Sequence, residues 1–331
     1  MRKSILYTAT LILSSLVILG CGTFESKELT LDMACNLDKV FCGKIQADSR
    51  CRNERKKMIL TRHYFQTKRD KAFAYEALIS TESYVKCAKL AQSIEYIPVS
   101  VKFANQDLNR TSPLTKKELK QREDYNKSIS KRKSKKIENY LNAAKELKRI
   151  EMITEDSSIP ELAYYHWTRK GDDEAAARLI KKDEEGKIKV AWLQFEVAQY
   201  YASFSEEKSL RALHKSLVLY PEEQYVSKTG RPTDNKYIAL NDEGYIHFKI
   251  FRHLATTHFS RGNYAASYIY AKILEINHDV TADLDFIVKH IELNKRSDKS
   301  KLDDLADDLD DRLSDGEVTL EFLIKLETYT L

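Results

Sequence analysis

The stretch that decides the fold lies near the C-terminus, at residues 245–276, and reads YIHFKIFRHLATTHFSRGNYAASYIYAKILEI. Apolar residues recur at helical spacing on both sides of Arg261-Gly262-Asn263. Glycine and asparagine are typical of tight turns, because both tolerate the left-handed backbone conformation. The stretch therefore predicts two helices that pack against each other across a short turn.

Two segments upstream resemble this helix pair. In each, an aromatic-rich helix precedes a turn and a second helix that carries Ala and Leu. The turn at Gly171 lies 33 positions before the turn at Phe204, which lies 58 before Gly262. A spacing of about 34 with paired helices is the tetratricopeptide signature, provided that residues 221–244 are an insertion. A plain bundle of paired helices fits the same pattern. The three segments are residues 160–181, 190–221 and 245–276.

The composition indicates the same fold class. Of 331 residues only nine are Gly and five are Pro, whereas 19 Tyr, 12 Phe and two Trp can fill a core. We predict an all-α fold of tetratricopeptide-like helical hairpins with a disulfide-stapled N-terminal cap. Glycine-rich phosphate loops, a nucleophile elbow and an HExxH pair are missing from the sequence. We therefore expect a protein that is not an enzyme, with no cofactor, no metal and no catalytic residue.

Residues 1–20 are typical of a bacterial secretion signal. Arg2 and Lys3 precede a largely apolar run of sixteen residues, which is short for a membrane span. Ile18-Leu19-Gly20-Cys21 resembles the lipobox of bacterial lipoproteins, although a buried N-terminal helix is the alternative. The resemblance implies a lipid on Cys21. It also implies the periplasmic face of the outer membrane, because residue 22 is Gly rather than the Asp that commonly retains a lipoprotein in the inner membrane.

Four further cysteines, Cys35, Cys42, Cys51 and Cys87, form an even set in an oxidising compartment. They predict two disulfides, and their spacing leaves all three pairings open. A site in which four cysteines bind zinc is the alternative. We expect residues 21–31 to be a tether and residues 32–97 to be a cysteine-stapled helical cap.

Charge is distributed unevenly along the rest of the chain. Residues 116–149 hold thirteen Lys and Arg against five Asp and Glu. We expect residues 98–136 to be a flexible basic insertion, which is either solvated or in contact with an anionic surface such as lipid or acidic glycan.

Residues 137–331 are expected to form the helical-repeat body, which ends in an acidic helix. Residues 298–317 hold nine acidic and three basic residues. Four leucines line one face of this helix, so that it should dock on the body: Leu302, Leu305, Leu309 and Leu313.

The histidines suggest no chemistry by their spacing. His247, His253 and His258 are six and five residues apart, so no two of them form an i, i+4 metal pair. We expect them to lie on the surface or in a groove, and we expect His166, beside Trp167, to serve in packing.

Binding is therefore expected rather than catalysis. Stacked helix pairs expose a concave face, and a partner protein or peptide of the cell envelope would bind there, with the chain acting as a scaffold or assembly factor. The lipid on Cys21 would contact the membrane, and nucleic acid is not an expected partner in the periplasm. A cell-wall-active enzyme on a helical scaffold, or a structural lipoprotein that contacts glycan or lipid through its basic segment, is the alternative. Six aromatic residues would be divided between core and groove: Tyr164, Tyr165, Trp192, Phe195, Phe248 and Phe251.

Several motifs taken together resemble a family of Gram-negative lipoproteins of unknown function. The resemblance implies a cell-envelope location and a helical-repeat body, and it transfers no catalytic residue. The motifs are the lipobox, Cys35-x6-Cys42-x8-Cys51-Arg52, Lys86-Cys87, LAYYHW at residues 162–167 before Gly171-Asp172, and LDDLADD at residues 302–308.

Overall fold

A computed structural model describes seven parts of the chain, and in these parts all regular secondary structure is α-helical. The predicted all-α fold is confirmed. Across the described residues, none of the helices combines the length and the apolar content that a bilayer crossing requires. The described parts are residues 29–47, 49–68, 72–93, 115–228, 246–276, 283–294 and 298–328. Cys21 and the predicted signal lie outside them.

Fourteen helices occupy these parts of the chain. They are α1 (Leu31–Leu37), α2 (Lys39–Lys44), α3 (Arg52–Lys68), α4 (Ala72–Ser93), α5 (Lys116–Thr154), α6 (Pro160–Lys170), α7 (Asp173–Glu184), α8 (Ala191–Ala202), α9 (Glu206–Lys228), α10 (Ile246–Ser260), α11 (Tyr264–Ile276), α12 (Leu284–Asn294), α13 (Lys299–Asp315) and α14 (Leu320–Thr328).

The chain divides into two compact units. The first unit comprises residues 1–67 and 83–143, and the second comprises residues 68–82 and 144–331. The dividing points fall before the last residue of α3 and within α4 and α5, so each of these helices contributes residues to both units.

Two disulfides hold the first unit together, which confirms the prediction and resolves the pairing. Cys35 and Cys42 are joined across α1 and α2, with their Cα atoms 5.4 Å apart. Cys51, directly before α3, is joined to Cys87 on α4, with a Cα separation of 5.9 Å. Cys51 is fully buried and lies in the core of this unit. The second disulfide thus crosses the hydrophobic core.

Polar side chains of α5 bind the loop that follows α2. Asn139 accepts a hydrogen bond from the backbone N–H of Gln46 at 2.8 Å and donates to the Gln46 carbonyl at 3.0 Å. Asn142 donates to the carbonyl of Lys44 at 3.1 Å. Gln46 lies outside regular secondary structure, so Asn139 supplies hydrogen-bond partners for its partly buried backbone N–H and carbonyl.

The predicted flexible insertion is in part a helix. Residues 116–136 form the first half of α5, which continues without a break to Thr154. Lys136 is buried, and its Nζ donates to the carbonyl of Ala91 at 3.2 Å. The helix begins with a capping box, in which Thr115 Oγ1 accepts from the Glu118 N–H and the Glu118 carboxylate accepts from the Thr115 N–H. The remaining residues of the predicted insertion, 98–114, lie outside the described part.

Three helix pairs with short turns form much of the second unit. Gly171, with φ 69°, ends α6, and the Asp172 carboxylate accepts from the first N–H groups of α7. Residues 203–205 join α8 to α9. Gly262, with φ 74°, precedes Asn263, whose side chain accepts from the Ala266 N–H at the start of α11. The turns lie where the sequence placed them, because each carries its own capping residues.

One helix is longer than the repeat pattern predicted. Helix α9 passes through Pro221 and ends at Lys228, so the predicted insertion does not begin at the end of a helix. Residues 229–245, which make up most of that insertion, lie outside the described part.

The acidic helix docks through its leucines, as predicted. Leu302 and Leu309 on α13 are buried, and Leu305 and Leu313 are partly buried against the same core. Asp298 caps the N-terminus of this helix, where its side chain accepts from the Ser300 N–H, and Gly316 caps its C-terminus. The core of the second unit therefore extends from α6 to the C-terminal helices.

We expect the two disulfides to contribute unequally to stability. In the loop-entropy account, the disulfide that closes the longer loop restricts the unfolded chain more. The sequence separations are 36 and 7 residues. Replacing Cys51 and Cys87 by Ala should lower the free energy of unfolding by about 4 kcal/mol, against about 2 kcal/mol for the Cys35 and Cys42 pair. Denaturant unfolding of the two double variants measures the difference, and equal losses would contradict the prediction.

Candidate functional site

The six predicted groove residues divide into two sets. Tyr165, Phe195 and Phe251 are at most 2% exposed, and Phe195 and Phe251 belong to the core of the second unit. They cannot line a groove. The others are partly buried and pack against that core: Tyr164, Trp192 and Phe248.

Two of the partly buried residues belong to a continuous row of aromatic rings. Tyr75 stacks on Trp192 at 5.5 Å between ring centroids, and Trp192 meets Tyr164 edge to face at 5.3 Å. Tyr164 contacts Trp167 at 6.1 Å, and Trp167 contacts Tyr200 at 5.1 Å. Tyr200 contacts Phe204 at 5.1 Å, and Phe204 is 60% exposed. This aromatic row consists of Tyr75, Trp192, Tyr164, Trp167, Tyr200 and Phe204.

Carboxylates lie beside two tyrosines of the aromatic row, Tyr75 and Tyr164. Burial raises the pKa of Glu161, at the start of α6. Burial also raises the pKa of the Tyr164 hydroxyl, and Glu196, which accepts its hydrogen bond, raises it further. The pKa of Tyr75 is raised by burial and by Glu161. Both hydroxyls therefore remain protonated donors at neutral pH, so the row combines apolar surface with fixed hydrogen-bond donors.

A second constellation is polar and buried. His214 on α9, His258 on α10 and Glu327 on α14 meet, with each imidazole Nε2 2.6 Å from the same carboxylate oxygen, Oε1 of Glu327. The hydroxyl of Tyr270 on α11 donates to that oxygen at 2.9 Å. The two histidines are at most 4% exposed. We call His214, His258, Tyr270 and Glu327 the His–Glu cluster.

Hydrogen bonds determine the charge of Glu327. Burial alone would raise its pKa, but the bonds and the positive charge offered by His214 and His258 lower the pKa to about 2. Burial and the neighbouring carboxylate both raise the pKa of Tyr270 well above its ordinary value. The cluster thus holds an ionised carboxylate and a neutral phenol inside the protein.

The His–Glu cluster is also a set of metal-ligand atoms. One ligand atom each from His214, His258 and Glu327 lies within 4.8 Å of the other two. Two imidazoles and one carboxylate are a ligand set that zinc commonly takes in proteins. Each of the three side chains comes from a different helix of one compact unit.

Sequence reasoning missed this cluster. His258 was expected on the surface or in a groove, but it is 2% exposed. The chain separates His214 from His258 by 44 residues and His258 from Glu327 by 69, so no local spacing could indicate the contact. His253 is exposed, as expected of that group, and nothing is described for the side chain of His247. His166 is buried and contacts Thr154 Oγ1 through Nε2 at 3.0 Å.

Comparison with known proteins yields a family and no function. A family model described as "Protein of unknown function (DUF2989)" matches residues 19–130 and 117–272, which together span most of the chain. No curated protein and no solved structure matches the chain. The family match extends from the predicted lipobox to α11, and the chain belongs to the DUF2989 family of proteins of unknown function.

Proposed function

We propose that this protein is a lipoprotein anchored on the periplasmic face of the outer membrane, and that it acts as a scaffold or assembly factor. Its partner would be a protein or peptide of the cell envelope that binds at the aromatic row. The observation that carries the proposal is the row itself: six rings in contact, from partly buried Tyr75 to exposed Phe204.

Three properties of the row suit protein binding. Aromatic side chains are enriched at protein interfaces because each buries a large area while losing little conformational entropy. Edge-to-face contacts fix the rings in advance, as Trp167 and Tyr200 show with an interplanar angle of 89°. Within the row, Tyr164 is also held by its hydrogen bond to Glu196. A partner would therefore meet a preformed apolar surface.

The helix pairs support the same function. α6 and α7, α8 and α9, and α10 and α11 are joined by turns of two or three residues. If these pairs are tetratricopeptide-like repeats, they belong to an architecture that presents extended binding surfaces. Tyr164 and Trp167 lie on the first helix of the first pair, and Trp192 and Tyr200 lie on the first helix of the second.

Removing the exposed end of the row should weaken partner binding. A photo-crosslinking residue at position 203 would identify the partner, and binding of that partner would then be measured with Phe204→Ser. We expect affinity to fall at least about tenfold, because truncating an aromatic hot-spot residue commonly costs 2 kcal/mol or more. The matched control is Phe286→Ser, which removes an exposed phenylalanine outside the row. Equal affinity of the two variants would contradict the proposal.

Lipidation should depend on Cys21 alone. Replacing Cys21 with Ser removes the sulfur that would carry the lipid, so we expect processing to stop and the precursor to accumulate. Metabolic labelling with a fatty acid and fractionation of membranes measure both effects. Cys51→Ala serves as the control, because that cysteine is in a disulfide. A processed, membrane-bound Cys21→Ser protein would show that the signal is misread.

A second candidate function is contact with an anionic envelope surface through α5. Four cations close together on this helix are exposed, namely Lys131, Arg132, Lys133 and Lys135. Lys136, which belongs to the same run, is buried and bonded to Ala91. The first four therefore offer a cationic patch to lipid head-groups or acidic glycan, whereas Lys136 has a structural contact.

Replacing Lys131, Arg132, Lys133 and Lys135 with Gln should remove the preference for anionic vesicles. The ratio of binding to anionic over neutral vesicles cancels the contribution of the lipid anchor. We expect that ratio to fall more than about tenfold, because each cation near such a surface contributes about 1 kcal/mol. Lys136→Gln should leave the ratio unchanged and lower the unfolding midpoint. If the fourfold variant keeps the ratio, this second function is wrong.

A further inference from the structure

Two imidazoles and one carboxylate of the His–Glu cluster converge from three helices on one point. We propose that His214, His258 and Glu327 bind a divalent transition-metal ion, for which zinc has the best-matched chemistry. The ion would join α14, the last described helix, to α9 and α10. This inference is independent of the partner-binding proposal, because none of the three residues belongs to the aromatic row.

Hydrogen bonds hold the three metal-ligand atoms closer together than they would lie around a bound ion. Both Nε2 atoms lie 2.6 Å from Glu327 Oε1. Ligand atoms around a tetrahedral zinc ion, bonded at 2.0–2.1 Å, are about 3.3 Å apart. Binding would therefore move each nitrogen about 0.7 Å away from the oxygen, which small rotations of the side chains can provide. The ion would then replace hydrogen bonds that already point at one centre.

The donor set selects the class of metal. Imidazole nitrogens favour zinc and its neighbours among the first-row transition metals, whereas calcium and magnesium prefer sites made of oxygen atoms. The fourth position is open to the Tyr270 hydroxyl, which lies 2.9 Å from Glu327 Oε1, or to water. The charges also agree, because a divalent ion is stabilised by the buried carboxylate.

Metal binding has a definite proton balance at each histidine. In the metal-free cluster, Nε2 can donate to Glu327 only while it carries a proton. The ion needs the lone pair of Nε2, so a neutral imidazole shifts its proton from Nε2 to Nδ1, whereas an imidazolium, which already carries Nδ1–H, releases its Nε2 proton to solvent. Nothing is oxidised or reduced.

The surroundings of His258 limit the affinity. Its Nδ1 is buried, and within the described residues it has no hydrogen-bond partner. Ligating histidines normally donate this N–H to an acceptor, and loss of such a partner costs 10- to 100-fold in affinity. We therefore expect a zinc dissociation constant of about 1 µM, weaker than that of a structural site with a complete set of outer partners.

The experiment uses the full chain, purified in detergent and freed of metal with a chelator. Zinc is titrated by calorimetry, and cobalt(II) is titrated by visible absorption, which reports the coordination number. X-ray absorption of the zinc-loaded wild-type protein counts imidazole and oxygen ligands. We expect one equivalent of zinc, two imidazole ligands, and no competition from magnesium or calcium.

Variants assign the ligands. His258→Gln and Glu327→Gln should each weaken zinc binding at least tenfold, and zinc should no longer raise their unfolding midpoints. The matched control is His253→Gln, which removes an exposed histidine from the same helix and should bind zinc as the wild type does. Cys21 and the surface histidines outside α10 are common to all three variants, so adventitious sites contribute equally.

Two results would overturn the proposal. One is a folded wild-type protein that shows no saturable zinc binding below about 100 µM, a limit about a hundredfold above the expected dissociation constant. The other is a wild-type spectrum without two imidazole ligands. Both results are measured on the wild-type protein, so they do not require that any variant fold. Equal affinity of His253→Gln and Glu327→Gln would likewise assign the bound zinc to adventitious ligands.

Discussion

The second unit depends on helices that bury their apolar faces against one another. Helices α6, α7, α8 and α11 have 11 to 13 residues, and isolated helices of this length are marginal in water. Each therefore needs another helix to pack against. A capped turn of two or three residues places the next helix of the chain in that position. α11 shows how far this goes, because nine of its thirteen residues are buried.

Apolar burial does not decide which helices meet, because one apolar face fits many others. Buried polar groups add that specificity, since a carboxylate without partners inside the protein is costly. Asp183 on α7 accepts from Gln194 at 2.7 Å, from Tyr201 at 3.1 Å and from Lys215 at 2.7 Å, which ties α7 to α8 and α9. Glu327 has the same role for α14, with partners on α9, α10 and α11.

The two candidate sites follow from apolar burial and from the hydrogen bonding of buried polar groups. Four rings of the aromatic row pack against the apolar core, and Phe204 at one end of the row is exposed. The His–Glu cluster is one of the polar contacts inside that core, and its ligand atoms are close because three helices pack there. The first suits a partner that approaches from solvent, and the second suits an ion that fastens helices together.

Local signals in the sequence were enough to determine the helical class, the turns at Gly171 and Gly262, the even set of cysteines and the leucine face of α13. Each of these depends on residues within about one helical turn of each other, or on counting. Tertiary structure alone decided the disulfide pairing, the burial of Tyr165, Phe195 and Phe251, and the separation of Lys136 from its exposed neighbours. It alone also brought His214, His258 and Glu327 together. The reason is that these contacts join distant parts of the chain, and which distant faces meet is chosen by packing and by satisfied polar groups rather than by any local pattern.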